Sequence, residues 1–484
     1  MYRYHNGPLR QCRFALSRHI KATNQVNSTI CKSVTKFGSI TQSGSPIQQQ
    51  YCAFTNATPN RSAENGTGSI INPHWKRKES GKFQRPIFVA ATRQHVGKTT
   101  VSLALVSGLK KRFDKVGFIK PVGQQHVEVQ SEDLDQPLRV DKDVCLLREH
   151  FHLDHIDYQH MSPVIIPRGY TKSYIEGKIS HENQLNDIRH AFHEISSTSD
   201  IMLCEGTGHC AVGSVVNLNN AMVASMVGAD MVLIANGGLG SAFDELELNR
   251  ILCQHHNVRL AGVIINKVIP DKMEQTRKYL SKAMMSTWGV PLLGCVPDKP
   301  FLGCPALADF ERLFNAKLLG GCRHRMRHYR LSDINLVTTS LCHFLENLRS
   351  KPDRTLYVCH ISRNDVLLGF LGEHQRAIKK GEKFESALLV CGRKGKYEMS
   401  PQVRDMVKGG DAPVLFVEYS TNSAMEMIHD FTPKLNIDDT SRVAHAVDHY
   451  EPYIDFDELL RRTSSSNSSF DDPTSSTFND LKRI

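Results

Sequence analysis

The chain has 484 residues, of which 40% are hydrophobic, and its 60 basic and 50 acidic side chains leave a net charge of +10. This length predicts two or three domains, each with enough apolar residues for a packed core. No apolar run approaches the roughly 20 residues of a membrane-spanning helix, and no basic stretch beyond the N-terminal region accompanies a recognition motif. We therefore expect neither a membrane nor a nucleic acid as a partner.

The 13 cysteines show no repeated short spacing and no Cys-x-x-Cys pair. This usage predicts neither a zinc site nor a disulfide scaffold. Cys204 and Cys391, for example, lie in or beside apolar runs. Buried, reduced thiols are the expected state.

Residues 1–82 lack the pattern of a folded domain. Residues 1–63 contain no acidic side chain, and their basic residues are interspersed with Ser, Thr, Asn and Gln. In a helical conformation, residues 9–20 would carry apolar side chains along one face, which is typical of an organellar transit peptide. We expect a presequence for the mitochondrion, with the plastid as the alternative, followed by a disordered linker. A disordered extension of a cytosolic protein is the competing interpretation.

The apolar run at residues 87–91 breaks into a turn and continues as a helical pattern. The turn nearly fits the pattern G-x-x-x-x-G-K-[ST], in which backbone N–H groups surround the phosphates of a nucleotide. Gly97, Lys98 and Thr99 occupy the closing positions, and Thr92 stands in place of the first glycine. The pattern predicts a strand, a phosphate loop and a helix, with the lysine on the outer phosphates and the hydroxyl on Mg²⁺. An ordinary surface turn with a solvated lysine is the alternative.

After this loop, short apolar runs alternate with longer amphipathic stretches. Strands are predicted at residues 116–119, 201–204, 231–235, 261–265 and 291–296, and helices at residues 144–150, 241–256 and 271–287. This alternation predicts an α/β fold, namely a P-loop NTPase parallel sheet with helices on both faces. Ligands of such sheets bind at the carboxyl ends of the strands, where the phosphate loop also lies.

Polar residues close several of these strands. Lys120 directly follows one strand, so its ammonium is expected beside Lys98 as a second cation for anionic oxygens. Glu205 closes a buried apolar strand, and Asp143 precedes an amphipathic helix. Each carboxylate is a candidate Mg²⁺ ligand, although Asp143 could instead cap the helix. Asn266 ends another strand, and its amide could read a nucleotide base.

The chain resembles dethiobiotin synthetase and its relatives in six places. These are residues 91–100, Lys120-Pro121-Val122, Asp143, Cys204-Glu205-Gly206-Thr207-Gly208, residues 262–267 and residues 293–297. The resemblance implies ATP and Mg²⁺ as cofactors. The nucleotide-binding residues that it implies are Thr92, Val96, Gly97, Lys98, Thr99, Thr100, Asn266 and Pro297. It further implies catalytic roles for Lys98 and Lys120, and a metal site made of Thr99, Asp143 and Glu205.

Residues 161–175 resemble more specifically the domain at the front of long phosphate acetyltransferases, which a DRTGG domain commonly follows. Further strands are predicted at residues 356–359, 387–390 and 413–417. The resemblance implies a P-loop domain at residues 83–312, a smaller α/β DRTGG-like domain at residues 313–462, and a disordered tail at residues 463–484. The sequence Asp-Arg-Thr-Gly-Gly itself is absent, and Ser362-Arg363-Asn364-Asp365 occupies the comparable turn.

This resemblance favours an ATP-dependent enzyme that activates a small carboxylate or carbamate of an unidentified metabolite. The alternative is a non-catalytic nucleotide-binding protein that regulates or senses a metabolite. We expect no phosphate acetyltransferase activity, since few residues follow Leu460, and no glutamine amidotransferase activity, since no Gly-x-Cys-x-Gly elbow occurs. A homo-oligomer is compatible with this interpretation. His95, inside the phosphate loop, is expected to face solvent.

Overall fold

The computed structural model describes residues 84–130, 137–350, 354–393 and 399–464. The predicted presequence and linker at residues 1–82 lie outside the described residues, as do residues 465–484 of the tail predicted at residues 463–484. The first residue of that tail, Thr463, is buried, and its hydroxyl donates to Gln84 Oε1 at 2.9 Å. Both therefore stay predictions. Within the described ranges, no helix combines the length and the apolar character needed to cross a membrane.

The described elements alternate between strands and helices along most of the chain. The strands are β1 (Ile87–Ala91), β2 (Val116–Ile119), β3 (Val122–Gly123), β4 (His126–Val129), β5 (Leu138–Asp141), β6 (Val164–Ile165), β7 (Ile201–His209), β8 (Asp230–Asn236), β9 (Leu260–Val268), β10 (Leu292–Pro297), β11 (Leu318–Gly320), β12 (Ile334–Leu336), β13 (Leu356–His360), β14 (Ala387–Cys391) and β15 (Val414–Val417). The α-helices are α1 (Lys98–Lys110), α2 (Lys142–Phe151), α3 (Tyr158–Met161), α4 (Tyr170–Ile175), α5 (His181–Ser197), α6 (Asn220–Met226), α7 (Gly240–His255), α8 (Met273–Trp288), α9 (Leu307–Phe314), α10 (Leu341–Ser350), α11 (Asn364–Lys380), α12 (Pro401–Lys408), α13 (Thr421–His429), α14 (Thr440–Tyr450) and α15 (Phe456–Arg462).

Six strands form one parallel sheet in the order β10-β9-β8-β1-β7-β2. The strand that leads into the phosphate loop, β1, therefore lies inside the sheet between β8 and β7. Every residue of β1 and β2 is buried. Since successive side chains of a strand point to opposite faces, both faces of this sheet are covered. The predicted α/β fold, a parallel sheet with helices on both faces, is confirmed.

Local sequence signals set the ends of several helices around this sheet. The Ser180 side chain accepts a hydrogen bond from the Asn183 N–H and so caps α5. Gly289 ends α8 in the left-handed conformation, with φ at 66°. Pro401 begins α12. Proline is tolerated there because a backbone N–H in the first turn of a helix has no intrahelical acceptor.

A second, smaller sheet has the order β11-β15-β14-β13-β12. Its strands are parallel except for the antiparallel pairing of β11 with β15. Tyr357 and Cys359 contribute to one apolar core and the alternate residues Leu356 and Val358 to another. The sheet therefore has a packed core on each face, as expected for a second α/β unit. Its proposed kinship with DRTGG domains stays a prediction.

The last two helices return to the first sheet. Val443 and Tyr450 of α14 and Leu459 of α15 are buried in the same core as β1. Residues 313–462 are predicted as the second domain, whereas α14 and α15 pack into the core of the first sheet. An amphipathic helix carries no local signal for which of two cores will bury its apolar face, so only the tertiary structure decides this.

The contact between α1 and α15 gives a testable prediction. A Cβ at Gly108 would lie 2.0 Å from Phe456 Cζ, whereas a Cβ at Gly372 in α11 would have no heavy atom of the described residues within 4 Å. We expect Gly108→Ala to lower the free energy of unfolding by about 1–3 kcal/mol through overpacking. Gly372→Ala should instead raise the free energy of unfolding by about 0.5–1 kcal/mol, because alanine is more favourable than glycine inside a helix and has room there. Urea denaturation of the two variants measures the difference.

A double variant provides the control. Combining Gly108→Ala with Phe456→Leu should cost less than the sum of the two single changes, because the smaller side chain makes room for the methyl group. Additive losses would contradict the contact between α1 and α15.

Candidate functional site

Residues 92–97 form the phosphate loop between β1 and α1. The chain passes through the left-handed conformation at His95, with φ at 60°, and at Gly97, with φ at 102°. A Cβ at Gly97 would lie 2.6 Å from Nδ2 of Asn266, so this position requires glycine. The side chain of His95 is exposed, as predicted. A turn of this kind that leads directly into a helix N-terminus is suited to binding an anion.

Two residues at the end of β9 hold the loop in place. Asn266 is fully buried, and its Nδ2 donates to the Val96 carbonyl at 2.7 Å. Its Oδ1 accepts from the Lys267 N–H at 2.7 Å, and Lys267 Nζ donates to the His95 carbonyl at 2.8 Å. Both ends of the Asn266 amide thus have protein partners, and its observed contacts support the loop. A contact between this amide and a nucleotide base stays a prediction.

Thr92, at the position of the first glycine in the loop pattern, anchors the start of the loop. Its Oγ1 donates to Glu245 Oε2 on α7 at 2.8 Å, and its N–H donates to the Ile234 carbonyl of β8 at 2.8 Å. Arg93 reaches the same Glu245 carboxylate at 3.5 Å. The threonine side chain is therefore used for fixing the loop to the neighbouring helix.

Lys120 is held among three carboxylates beside the loop. Its Nζ lies 2.9 Å from Asp141 Oδ1 and 3.8 Å from Glu205 Oε1, and it forms a further ion pair with Asp143. Thr99 Oγ1 donates to Glu205 Oε1 at 3.3 Å, which connects this group to the first turn of α1. We call Lys120, Asp141, Asp143 and Glu205 the Lys120 cluster. The structure thus brings together Lys120 and the residues predicted to surround a metal.

The strand register explains this meeting of distant residues. In the pairing of β1 with β7, Val89 lies opposite Glu205, and in the pairing of β2 with β7, Ile119 lies opposite Cys204. Since all three strands are parallel, the residue after Ile119 and the residue after Cys204 reach the same edge of the sheet. Lys120 and Glu205 are therefore neighbours.

Asp141 and Asp143 have different roles at the start of α2. Asp141 is the N-cap, and its Oδ1 accepts a hydrogen bond from the Asp143 N–H at 3.0 Å. Its Oδ2 accepts from the Gln124 N–H at 3.2 Å. The sequence left Asp143 open between a cap and a metal ligand. Because Asp141 caps the helix, the Asp143 carboxylate is available to the site.

Burial and charge act in opposite directions within the Lys120 cluster. Burial by itself would lower the pKa of Lys120, but Asp143, Glu205 and Asp141 outweigh it and hold that pKa above its ordinary value. Burial would raise the pKa of Asp143, but the adjacent Lys120 ammonium lowers it. For Glu205 burial dominates and raises the pKa, although Lys120 opposes the change. The cluster holds a buried ammonium that stays charged.

Lys98 differs from Lys120 in having no such partner. Among the described residues it forms no ion pair within 4.0 Å. Burial is the largest influence and lowers the pKa of Lys98, with Glu205 opposing and Lys120 reinforcing the change. A desolvated ammonium without a carboxylate partner gains most from an anionic ligand.

The oxygen atoms of the site fit Mg²⁺. The available donors are the Thr99 hydroxyl and the carboxylates of Asp143 and Glu205, and Mg²⁺ prefers such hard oxygen ligands. Oε2 of Glu205 is buried and has no hydrogen bond within 3.5 Å in the described part of the chain, although the nearby Ser102 hydroxyl acts to lower the pKa of Glu205. A buried carboxylate oxygen is costly to leave without a partner, and a cation at this point would supply one.

The other predicted binding residues lie at different distances from this centre. Thr100 Oγ1 lies 4.0 Å from the point where a Cβ of Gly97 would be, so it is beside the loop. Pro297 ends β10, the outermost strand on the far side of the sheet from β2. Its carbonyl accepts a hydrogen bond from His449 Nε2 at 2.9 Å. The structure therefore does not bring Pro297 to the Lys120 cluster, and its contact with a nucleotide stays a prediction.

Sequence reasoning missed two residues that shape the site. Asp141 stands two positions before Asp143, and nothing in the local pattern shows which carboxylate would cap α2. Glu245 is one of several acidic residues of α7, and the local sequence does not indicate that its carboxylate will accept a hydrogen bond from Thr92. Both contacts join segments that are separated in the chain.

One further group of potential metal ligands occurs in the described residues, formed by His324, His374 and Asp411. Arg327 donates to His324 Nδ1 at 2.8 Å, and Arg323 forms an ion pair with Asp411. Guanidinium groups thus already bond to ligand atoms of His324 and Asp411. The group is therefore an ion-pair network in the second unit, away from the phosphate loop.

The parallel sheet, the phosphate loop and the Lys120 cluster define a P-loop NTPase-type domain. A family model described as an AAA domain matches residues 85–306, which include all of these features.

Curated relatives extend the similarity beyond that domain. The chain is 25% identical over 394 residues to a phosphate acetyltransferase of Nitrosomonas europaea, which covers 78% of this chain and 51% of the relative. It is 22% identical over 412 residues to the phosphate acetyltransferase of Escherichia coli, covering 79% and 53% respectively. The chain thus spans about half the length of the curated relatives it matches.

Two solved structures are each similar to less than half of the chain. The MinD cell division protein of Aquifex aeolicus is 16% identical, with a TM-score of 0.27, and covers 45% of this chain and 84% of its own. A ParA family ATPase from Chlorobium tepidum is 14% identical, with a TM-score of 0.27, and covers 45% and 87% respectively.

Proposed function

We propose that this protein binds ATP with Mg²⁺ at the phosphate loop and the Lys120 cluster. The observation that carries the proposal is the contrast between two lysines at one edge of the sheet. Lys120 is already neutralised by carboxylates, whereas Lys98 is desolvated and has no carboxylate partner in the described residues. Lys98 is thus the cation that would form charge-assisted hydrogen bonds with the phosphate oxygens of a bound nucleotide.

The chain's own residues have distinct tasks in this proposal. Thr99, Asp143 and Glu205 would hold Mg²⁺, which supplies neutralisation of phosphate charge when it is bound. Lys120 keeps the three carboxylates at fixed positions. Asn266 and Lys267 keep the phosphate loop in its conformation before a nucleotide binds, so little ordering cost is left for binding.

The reaction that we propose is the ATP-dependent activation of a small carboxylate or carbamate. Phosphoryl transfer depends mainly on positioning and charge stabilisation, so a dedicated nucleophile on the protein is not needed. With its carboxylates ionised, the Lys120 cluster has one positive and three negative charges, a balance that one divalent cation offsets. The lysines at the rim, Lys98 and Lys142, then remain for the anionic groups of substrates.

The second candidate function is metabolite sensing without turnover, and one pocket favours it. A cavity of about 300 Å³ is lined by Phe301, Cys304, His328, Arg330, Asp333, Arg354, Thr355 and Glu385. His328 Nε2 is 2.7 Å from Asp439 Oδ2, and Asp439 pairs with the buried Arg442 at 2.9 Å. A small ligand in this pocket would contact a network that continues toward the nucleotide site.

Nucleotide titration of the full chain tests the proposal. We expect MgATP to bind, and binding to weaken by about tenfold or more when EDTA removes the metal or when Glu205→Gln removes a ligand charge. Glu194→Gln, on the exposed part of α5, is the matched control and should leave binding unchanged. Absence of MgATP binding by the wild-type chain would refute the proposal.

Turnover separates the two candidate functions in the same preparation. Phosphate release that a metabolite mixture stimulates supports the enzyme. Tight binding of MgATP without stimulated turnover supports the sensor.

A further inference from the structure

The cavity of about 300 Å³ beside His328 lies at the amino ends of three strands of the second sheet. Among its lining residues, Asp333 directly precedes β12, Thr355 directly precedes β13, and Glu385 stands two positions before β14. These strands are parallel and pair in that order, so the three residues meet at one edge of the sheet. A volume of about 300 Å³ is at the lower end for small-molecule sites and therefore suits a small ligand.

The opposite wall of the cavity is held by buried contacts. Phe301 and Cys304 of this wall come from the connection between β10 and α9. The fully buried Arg442 donates to the Cys304 carbonyl at 2.8 Å, and the His328 ring lies against Phe301 with 5.0 Å between the ring centroids. His328 is itself bonded to the buried Asp439. The cavity is therefore preformed, as binding sites for small molecules usually are.

Two opposite charges at the rim of the cavity have no ionic partner. Arg354 pairs with Glu385 at 3.2 Å, which neutralises both. Arg330 forms no ion pair within 4.0 Å in the described ranges, and Asp333 accepts only a hydrogen bond from the adjacent Ser332 hydroxyl at 3.2 Å. Arg330 and Asp333 belong to one short turn, in which the Asp333 N–H donates to the Arg330 carbonyl at 3.0 Å. The rim thus presents one free cation and one free anion.

Buried polar groups deeper in the cavity remain available for hydrogen bonds. Thr355 is buried, and its hydroxyl bonds to no other described residue. His328 is also buried, and since its Nε2 faces Asp439 Oδ2 at 2.7 Å, its Nδ1 is left for a ligand. A buried hydroxyl gains free energy when a ligand supplies the missing partner.

Main-chain N–H groups of the kind that bind phosphate are not offered by the helix that begins beside this cavity. The first N–H groups of α9, those of Leu307 and Ala308, donate to the carbonyls of Arg327 and Arg325 at 3.1 Å and 2.9 Å. Phosphate sites usually rely on such N–H groups at a helix N-terminus. Recognition in this cavity therefore depends on side chains, and their free charges have both signs.

We propose that this cavity binds a small zwitterion, namely an α-amino acid with an apolar side chain. Arg330 and the Thr355 hydroxyl bind the carboxylate, Asp333 accepts hydrogen bonds from the ammonium, and the apolar side chain packs on Phe301. The inference rests on the sensing function proposed for the cavity and deepens it by naming the class of ligand. Nucleotide binding at the phosphate loop does not depend on it.

L-Leucine is the probe for this site, because analogues lacking either of its charged groups exist. The full chain is titrated with L-leucine, with isocaproate, which lacks the ammonium, and with isoamylamine, which lacks the carboxylate. Ligand-observed NMR measures the binding, and L-methionine and L-phenylalanine are titrated in parallel. We expect an amino acid to bind with a Kd of about 1 mM or lower, and each leucine analogue to bind at least about tenfold more weakly than leucine.

Variants of the two free charges locate the binding. Arg330→Ala and Asp333→Asn should each weaken amino-acid binding by about tenfold, the loss of one charge-assisted contact, whereas Arg330→Lys should lose less. Arg404→Ala and Asp405→Asn are the matched controls, because they remove the same groups from exposed positions of α12 that do not line the cavity. Since Arg330 and Asp333 are exposed and have no ionic partner in the described part of the chain, their variants should unfold at the wild-type temperature.

Three results would overturn the inference. They are no binding of any of the three amino acids at about 10 mM, binding of isocaproate as tight as that of L-leucine, and equal affinities of the wild type and the two cavity variants. Each of them leaves the proposal for MgATP standing. Failure of the wild type to bind MgATP, with amino-acid binding intact, would refute the nucleotide proposal alone.

Discussion

Replacing Lys98 by alanine is expected to weaken MgATP binding by about 100-fold or more. The Lys98 ammonium has no ion-pair partner among the described residues, and losing its bonds to phosphate oxygens should remove about 3 kcal/mol of binding energy. The unliganded protein should be as stable as the wild type or slightly more stable, since burial of Lys98 already lowers its pKa without an ion pair to compensate. Isothermal titration calorimetry and thermal unfolding measure the two effects.

Lys110 provides a matched control on the same helix. It is the last residue of α1, and its Nζ donates to the Phe151 carbonyl at the end remote from the loop. Lys110→Ala removes the same charge and should leave MgATP affinity unchanged. If Lys98→Ala bound MgATP as tightly as the wild type, the assignment of the phosphate loop would be wrong.

Replacing Arg442 by methionine is expected to lower the free energy of unfolding by about 3–5 kcal/mol, because it removes the buried cation that lies between the carboxylates of Asp309 and Asp439. Asp309 and Asp439 have side chains that are only 4% and 2% exposed. The loss should be visible as a lower midpoint in urea denaturation with a cooperative transition.

Arg312 is the control for this prediction, since it contacts the same carboxylate from the surface. Its NH2 lies 2.6 Å from Asp309 Oδ1, but the side chain is 39% exposed. Exposed ion pairs contribute about 0–1 kcal/mol, so Arg312→Ala should change stability by no more than that. If Arg312→Ala and Arg442→Met lowered the free energy of unfolding by similar amounts, burial of the ion pair would not determine its contribution to stability.

Much of the site could be predicted because the carboxyl ends of parallel strands all lie at one edge of the sheet. Apolar runs placed β1, β2 and β7, and the residues that follow such runs must lie at one edge. Lys120 and Glu205 were identified on that ground, whereas Lys98 and Thr99 were identified from the phosphate-loop pattern. Their actual contacts were not, because no local pattern states that three carboxylates would surround one ammonium.

The contacts that no local pattern predicted join remote segments of the chain. Asn266 was expected to meet a base, and its observed partner is the carbonyl of Val96, 170 positions earlier. Thr92 was expected at a nucleotide, and its hydroxyl bonds to Glu245. In each case the side chain has the predicted position in the fold, but the neighbouring segment that reaches it is fixed by packing.

The sequence by itself determined the alternation of strands and helices, the phosphate loop, and the edge of the sheet at which the chemistry lies. These follow from short-range periodicity and from the direction of parallel strands. The tertiary structure alone decided that α14 and α15 complete the first core and that Arg442 lies buried between Asp309 and Asp439. The first outcome depends on which apolar faces pack together, and the second on ion pairs between segments that are remote in the chain. No local stretch of the sequence predicts either of them.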